Sequence, residues 1–139
     1  MANALYDKGR QAFLEGSIAW LTDNIKVALI QTGGGHYVVN LATDQFLGVA
    51  IASGDIKARS ANFTSKTSTA GVANAANTVF AAVAAGAADG AIVIFKDTGV
   101  DNTSPLIAYI DSYAGLPVTP NGSDINVSWP TDSNKIFKL

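Results

Sequence analysis

Ala91-Ile92-Val93-Ile94-Phe95-Lys96 and Leu106-Ile107-Ala108-Tyr109-Ile110-Asp111 are two short apolar runs, separated by the polar loop Asp97-Thr98-Gly99-Val100-Asp101-Asn102-Thr103-Ser104-Pro105. Two β-prone runs around a loop of this composition read as a hairpin with a long connection. Side chains alternate across a strand, so Ile92 and Ile94 share one face, and Ala91, Val93 and Phe95 the other. Both faces are apolar, which places this strand inside a sheet with cover above and below. In the second run Leu106, Ala108 and Ile110 alternate with Ile107, Tyr109 and Asp111, giving a strand almost as buried. The rest of the chain must supply the covering layers.

At 139 residues the chain is read as one domain, 1–139, large enough for a real core. Hydrophobic residues make up 48% of it but charged residues only 14%, against about 25% in an average domain. Small and polar residues fill the difference. A surface so weakly charged suits burial against neighbouring subunits better than life as a lone monomer. The net charge is −2, and the basic residues form no cluster longer than Lys57-Ala58-Arg59. That argues against a nucleic-acid footprint, which needs several phosphate contacts from one face, and against a polybasic membrane surface. There is no cysteine, which excludes disulfides and thiolate metal sites. The longest apolar stretch, Val79–Ala88, is far shorter than the roughly 20 residues of a spanning helix. Asp7, Lys8 and Arg10 stand where a signal peptide would be apolar, so the expected site of action is the cytoplasm, or an assembly built there.

Taken in order, Asn3–Glu15 is expected to be a helix, capped by Asn3, with an apolar stripe at Leu5, Tyr6, Ala12 and Phe13 and a stop at Gly16. Residues 1–16 could instead act as an arm docking on a partner. Gly9 within the helix costs about 1 kcal/mol relative to Ala, so the helix needs something to pack against. A short strand Ile18–Trp20 turns through Thr22-Asp23-Asn24 into the core strand Ile25–Gln31. One or two helical turns are predicted at Leu41–Gly48, a more polar strand at Ile56–Phe63 with Lys57, Arg59, Ala61 and Phe63 on one side, and an edge strand or loop at Thr64–Thr69. Ala70–Ala91 holds eleven alanines, which favour helix, against Gly71, Gly86, Gly90 and the Thr78-Val79-Phe80 triplet. Alternation at Val79, Ala81 and Val83 predicts a strand at Thr78–Ala84. Ser123–Trp129 follows as a strand with Ile125, Val127 and Trp129 inward, and Lys135–Leu139 as a last short strand after a turn at Thr131–Asn134. Strand after strand with turns between reads as mainly β, a β-sandwich of jelly-roll or Ig-like kind over residues 17–139, with the N-terminal helix and one further short helix.

Chemistry is thinly represented. His36 is the only histidine, and beside Gly33-Gly34-Gly35 it reads as an exposed loop side chain. The glycines lack the helix that phosphate-cradling loops open into. Asp97 with Asp101, or Asp44 with Asp55, could form a glycosidase dyad only by spatial accident. The oxygen donors of Asp97–Asn102 suit calcium, but an Asx turn explains them equally and the spacing is not that of an EF-hand. Tyr6, Phe13, Trp20, Phe80, Phe95, Tyr109 and Trp129 read as core. No catalytic, metal or cofactor-binding residue is assigned, and the chain is not read as an enzyme.

Several stretches resemble a family of small virion proteins of tailed bacteriophages. They are residues 3–10 (Asn-Ala-Leu-Tyr-Asp-Lys-Gly-Arg), Phe13–Gly16, Asp23–Leu29, Ala91–Gly99, Ser104–Asp111, Leu116–Gly122 and Asn134–Leu139. The resemblance covers both ends and the central hairpin; residues 33–58 and the alanine-rich region are less distinctive. It implies a phage structural protein, best placed as a head decoration (cement) protein that binds the major capsid protein, commonly as a homotrimer. A neck, tail or baseplate component is the alternative, and a carbohydrate- or receptor-binding module on the same scaffold a third. No binding residue carries over from the family. The subunit contacts are instead expected at the two ends of the chain: Leu5, Tyr6, Arg10 and Phe13, with Ile136, Phe137 and Leu139. On that reading, deleting the residues before Gly16 abolishes association.

Overall fold

The computed structural model of the protein describes residues 4–112, 115–133 and 135–139. Asn3, expected as a helix cap, and Asn134, expected in the last turn, lie outside the described residues. The predicted hairpin is the centre of the molecule. Strand β7 (Ala91–Lys96) lies between β2 (Ile25–Ile30) and β8 (Leu106–Ile110), with β1 (Ala4–Leu5) beyond β8 and β3 (Ile56–Arg59) beyond β2. All four pairings in this five-stranded sheet are antiparallel. A second layer holds a three-stranded sheet, in the order β10 (Phe137–Lys138), β5 (Val72–Asn74) and β4 (Thr67–Thr69), and the pair β6 (Thr78–Phe80) with β9 (Ile125–Val127). The arrangement is mainly β and sandwich-like, as expected.

Both faces of the large sheet are covered. Ile92 and Ile94 face the second layer, packing in one core with Val27, Leu29, Phe80 and Trp129. Ala91, Val93 and Phe95 face the opposite way, into a second core closed by Tyr37, Leu47 and Ile51. The phase predicted for β7 is therefore right. That of β8 slips, because Ile94 pairs with Ala108 while Phe95 pairs with Leu106, leaving Ile107 as the extra residue of a bulge. Leu106 thus joins the Phe95 core while Ile107, Ala108 and Ile110 join the other.

The expected helix Asn3–Glu15 is shortened to α1 (Asp7–Leu14), because residues 4–5 pair with β8 as an edge strand. Its stop is as predicted. Gly16 has φ +76°, its N–H bonds to the Phe13 carbonyl at 3.2 Å, and the Ser17 N–H reaches Ala12 at 2.8 Å, which is the Schellman arrangement. Gly9 lies against the bulge itself. A Cβ there would stand 2.5 Å from the Leu106 carbonyl oxygen and 3.1 Å from Ile107 Cα. The glycine that weakens the helix in isolation is what lets it dock.

Four other local expectations are corrected. Ile18–Trp20 is not a strand, since the Asp23 carboxylate accepts the Ala19 N–H at 2.7 Å and folds the segment into a turn. The helix expected at Leu41–Gly48 forms later, as α2 (Leu47–Ala50). Residues before it are engaged in pairing: Leu106 N–H bonds to Gln45 and Leu47 N–H to Ser104. The strand from Ile56 ends at Arg59 because the Ser60 hydroxyl intrudes on the ladder and accepts the Val27 N–H at 3.0 Å. The chain leaves strand phase there, so Phe63 is buried while Lys57 and Arg59 are exposed. The alanine-rich region forms strands and turns, and β6 stops at Phe80, shorter than the predicted Thr78–Ala84. Ala82, at φ 46°, turns there with its N–H on the Asp124 carboxylate.

Rings tie the first core together across the layers, running Phe13, Phe137, Trp20, Phe63, Trp129 with neighbouring centroids 5.2–6.1 Å apart. In the second core the Tyr37 hydroxyl donates to Asp44 at 2.7 Å, so its oxygen accepts from Tyr6 at 2.8 Å. Burial pushes both phenols well above their usual range. This chain of hydrogen bonds pins the start of the molecule to the 37–51 cover.

Candidate assembly surface

Residues 4–10 and 135–138 come together. β1 is the outer strand of the large sheet, β10 the outer strand of the three-stranded sheet, and a groove of about 360 Å³ runs along the seam between them. Leu5, Arg10, Ile136 and Phe137, four of the residues expected at subunit contacts, line it. Phe13 stands behind, half-buried against the Phe137 ring. Leu139 is 57% exposed beyond it, its N–H bonded to Gly71 at 3.0 Å. Tyr6 is not at this surface: it is wholly buried in the second core, where its hydroxyl is already partnered. Removing everything before Gly16 would therefore strip out β1, Tyr6 and Gly9 and damage the fold itself, so substitutions at the surface are the cleaner test of association.

Sequence reasoning missed the other walls of the groove. Lys135 and Lys138 line it together with Asp132, whose carboxylate accepts the Lys135 N–H at 2.9 Å. Ala108 and Ile110 form its floor from β8. Arg10 is exposed and reaches Asp7 at 3.2 Å, a surface pair that holds it only loosely. Lys135 and Lys138 directly flank the apolar pair Ile136-Phe137 in sequence, but only the packing of the two sheets brings them beside residue 4. Elsewhere Leu14, Val38 and Val49 stand 90%, 80% and 71% exposed, so the apolar share of the surface is not confined to the groove.

The carboxylates considered for chemistry are otherwise engaged. Asp97 accepts from Lys26 Nζ at 2.7 Å and from the Gly99 N–H at 2.9 Å. Asp101 receives both guanidinium nitrogens of Arg59, at 2.6 Å each. Asp44 accepts from Tyr37 and from the Asn40 N–H, and Asp55 from His36 at 2.7 Å. Among the described residues no three His, Asp or Glu side chains converge on one point. Gly33, Gly34 and Gly35 all have positive φ and close a loop, with the His36 N–H on Gly33 and no helix following. No helix among the described residues is long and apolar enough to cross a membrane.

The cations beside them fix the direction of two acid titrations. The Lys26 ammonium holds the Asp97 carboxyl below its usual range, and the Arg59 guanidinium does the same for Asp101. A depressed folded value stabilises the fold above the ordinary carboxylate range and loses that contribution as pH falls through the depressed value. Stability is therefore expected to drop on acidification, modestly because these pairs are partly exposed. Urea denaturation at neutral and acid pH measures it, and Asp97→Asn with Asp101→Asn is expected to flatten the acid limb.

Comparison of the chain with protein-family models and with curated proteins finds no match.

Proposed function

We propose that this chain is a structural protein of a tailed-phage virion, a head decoration protein that reinforces the capsid by bridging neighbouring capsid subunits and copies of itself. The observation that carries the reading is the groove between β1 and β10, where two outer strands and both chain ends form one partly apolar seam. An outer strand has hydrogen-bonding groups on its far side, which pairing with another chain satisfies. A weakly charged surface with exposed Leu14, Val38 and Val49 suits contact with neighbours. Repeated on a symmetric shell, a modest contact of this kind becomes tight attachment. The resemblance of the chain ends and the central hairpin to small phage virion proteins points the same way.

The test is Arg10→Glu with Lys138→Glu, two exposed positions on the groove. Folding stability is expected to change by less than about 0.5 kcal/mol. Light scattering is expected to show the wild-type chain as an oligomer and the variant as a monomer, with the variant lost from purified particles. Hundreds of wild-type copies per particle support decoration, whereas a dozen or fewer support a neck or tail component. A wild-type monomer with no affinity for particles ends the proposal.

A further inference from the structure

Asp89 interrupts a run of small residues, Ala87-Ala88-Asp89-Gly90-Ala91, just before the central strand. Its side chain is wholly buried, and neither carboxylate oxygen has a hydrogen-bond partner. An ionised carboxylate in such a place is strongly disfavoured, and burial accordingly pushes this carboxyl above its usual range. Lys57 on β3 opposes that shift, but its ammonium is bonded to the Gly54 carbonyl at 2.6 Å.

The backbone around Asp89 is a fastening. Its N–H bonds to the Val118 carbonyl at 2.7 Å, and the Val118 N–H returns to the Asp89 carbonyl at 2.9 Å. Further bonds from Gly86 to Pro120 and from Gly122 to Val83 hold residues 115–122 as a strap alongside residues 83–89. Beneath the strap is an apolar cavity of about 120 Å³, open to solvent at one side and lined by Leu29, Phe80, Ile92, Leu116, Val118 and Ile125. Val118 is thus both the partner of Asp89 and a wall of the cavity. The neighbour of Asp89, Gly90, abuts the loop after β2, where a Cβ would collide with the Thr32 hydroxyl. The strap itself carries no charged residue, nor do residues 81–88 or the loop 32–35. His36, next along that loop, is bonded to Asp55.

We propose that Asp89 is a proton-controlled latch: with its carboxyl protonated the Asp89–Val118 bridge holds the strap over the apolar cavity, and loss of that proton releases the strap and exposes the cavity lining. The sign follows from linkage. A carboxyl that holds its proton more tightly when closed than when open favours the closed form at low pH. That preference is lost as pH rises from the ordinary carboxylate range through the raised value, and does not change further above it.

Amide hydrogen exchange on the full chain, stepped from about pH 4 to about pH 9 and corrected for intrinsic rates, tests this. Opening at Val118 and Gly122 is expected to rise by up to about tenfold per pH unit within the window, while Val93 and Ile94 in β7 keep their protection. Asp89→Asn is expected to abolish the dependence. Should that variant not fold, carbon-13 titration of the wild-type Asp89 carboxyl decides, a raised value being required. An ordinary Asp89 titration, a flat Val118 profile, an unchanged slope in Asp89→Asn, or loss of protection in strap and β7 together would each overturn the latch.

Discussion

Phe95→Ala is expected to lose about 3–5 kcal/mol of folding free energy, read as a lowered urea midpoint with little change in slope. Phe95 is completely buried, next to last in the central strand and opposite Leu106, at the bulge of β8. Its ring belongs to the core on the outer side of the large sheet, with Tyr6, Leu47 and Leu106, and the Arg59 guanidinium lies 6.0 Å from its centroid. A loop-and-helix cover, residues 37–51, packs over that side. If the cover were loosely held, truncating Phe95 would admit water and cost little. A cavity between a bulged sheet and a cover pinned through Tyr6, Tyr37 and Asp44 cannot collapse easily, which puts the cost at the high end for its type. Val100→Ala, at a side chain 57% exposed, is the companion measurement and should stay within about 0.5 kcal/mol. A loss below about 1 kcal/mol for Phe95→Ala would mean that the second face is not a true core.

Gly9→Ala should destabilise the protein by about 2–3 kcal/mol, although alanine is the better helix former by about 1 kcal/mol. The two effects have opposite signs, so the sign of the result is the test. In α1 the added methyl carbon would meet backbone atoms of Leu106 and Ile107, which cannot step aside as the end of a flexible side chain could. The same bulge also accepts the Tyr6 N–H on the Ile107 carbonyl at 3.0 Å, so displacing the helix would strain the start of the chain as well. Gln11→Ala on the exposed face of α1 controls for propensity alone. If Gly9→Ala proves stabilising, the helix does not dock as described.

Much of the architecture could be read without coordinates, and the misses share a cause. The burial of Ala91–Phe95 on both faces, the inward set Val127 and Trp129, and the stop at Gly16 follow from residue types within one element. The failures at Leu41–Gly48 and beyond Arg59 each trace to a polar group reaching across the chain, the Ser104 carbonyl and the Ser60 hydroxyl, and that at Ile18–Trp20 to the nearby Asp23 carboxylate. Side-chain periodicity carries no information about which distant group a backbone N–H will find. The candidate surface was half legible. Leu5, Arg10, Ile136 and Phe137 stand near the chain ends in sequence and line one groove in the fold, whereas Tyr6 lies in the core and no apolar pattern marks the groove lysines.

From composition and alternation alone came a small β domain built on a buried hairpin, sparing of charge, with both faces of its central strand enclosed. These are sums over neighbouring residues, and apolar pattern expresses them directly. The bulge at Ile107, the seating of Gly9 upon it, the burial of Asp89 beside Val118 and the closing of the two termini into one seam were decided only in three dimensions. Each depends on hydrogen bonds and close approaches between segments tens of residues apart. Their partners are chosen when the layers pack, and no local pattern records that choice.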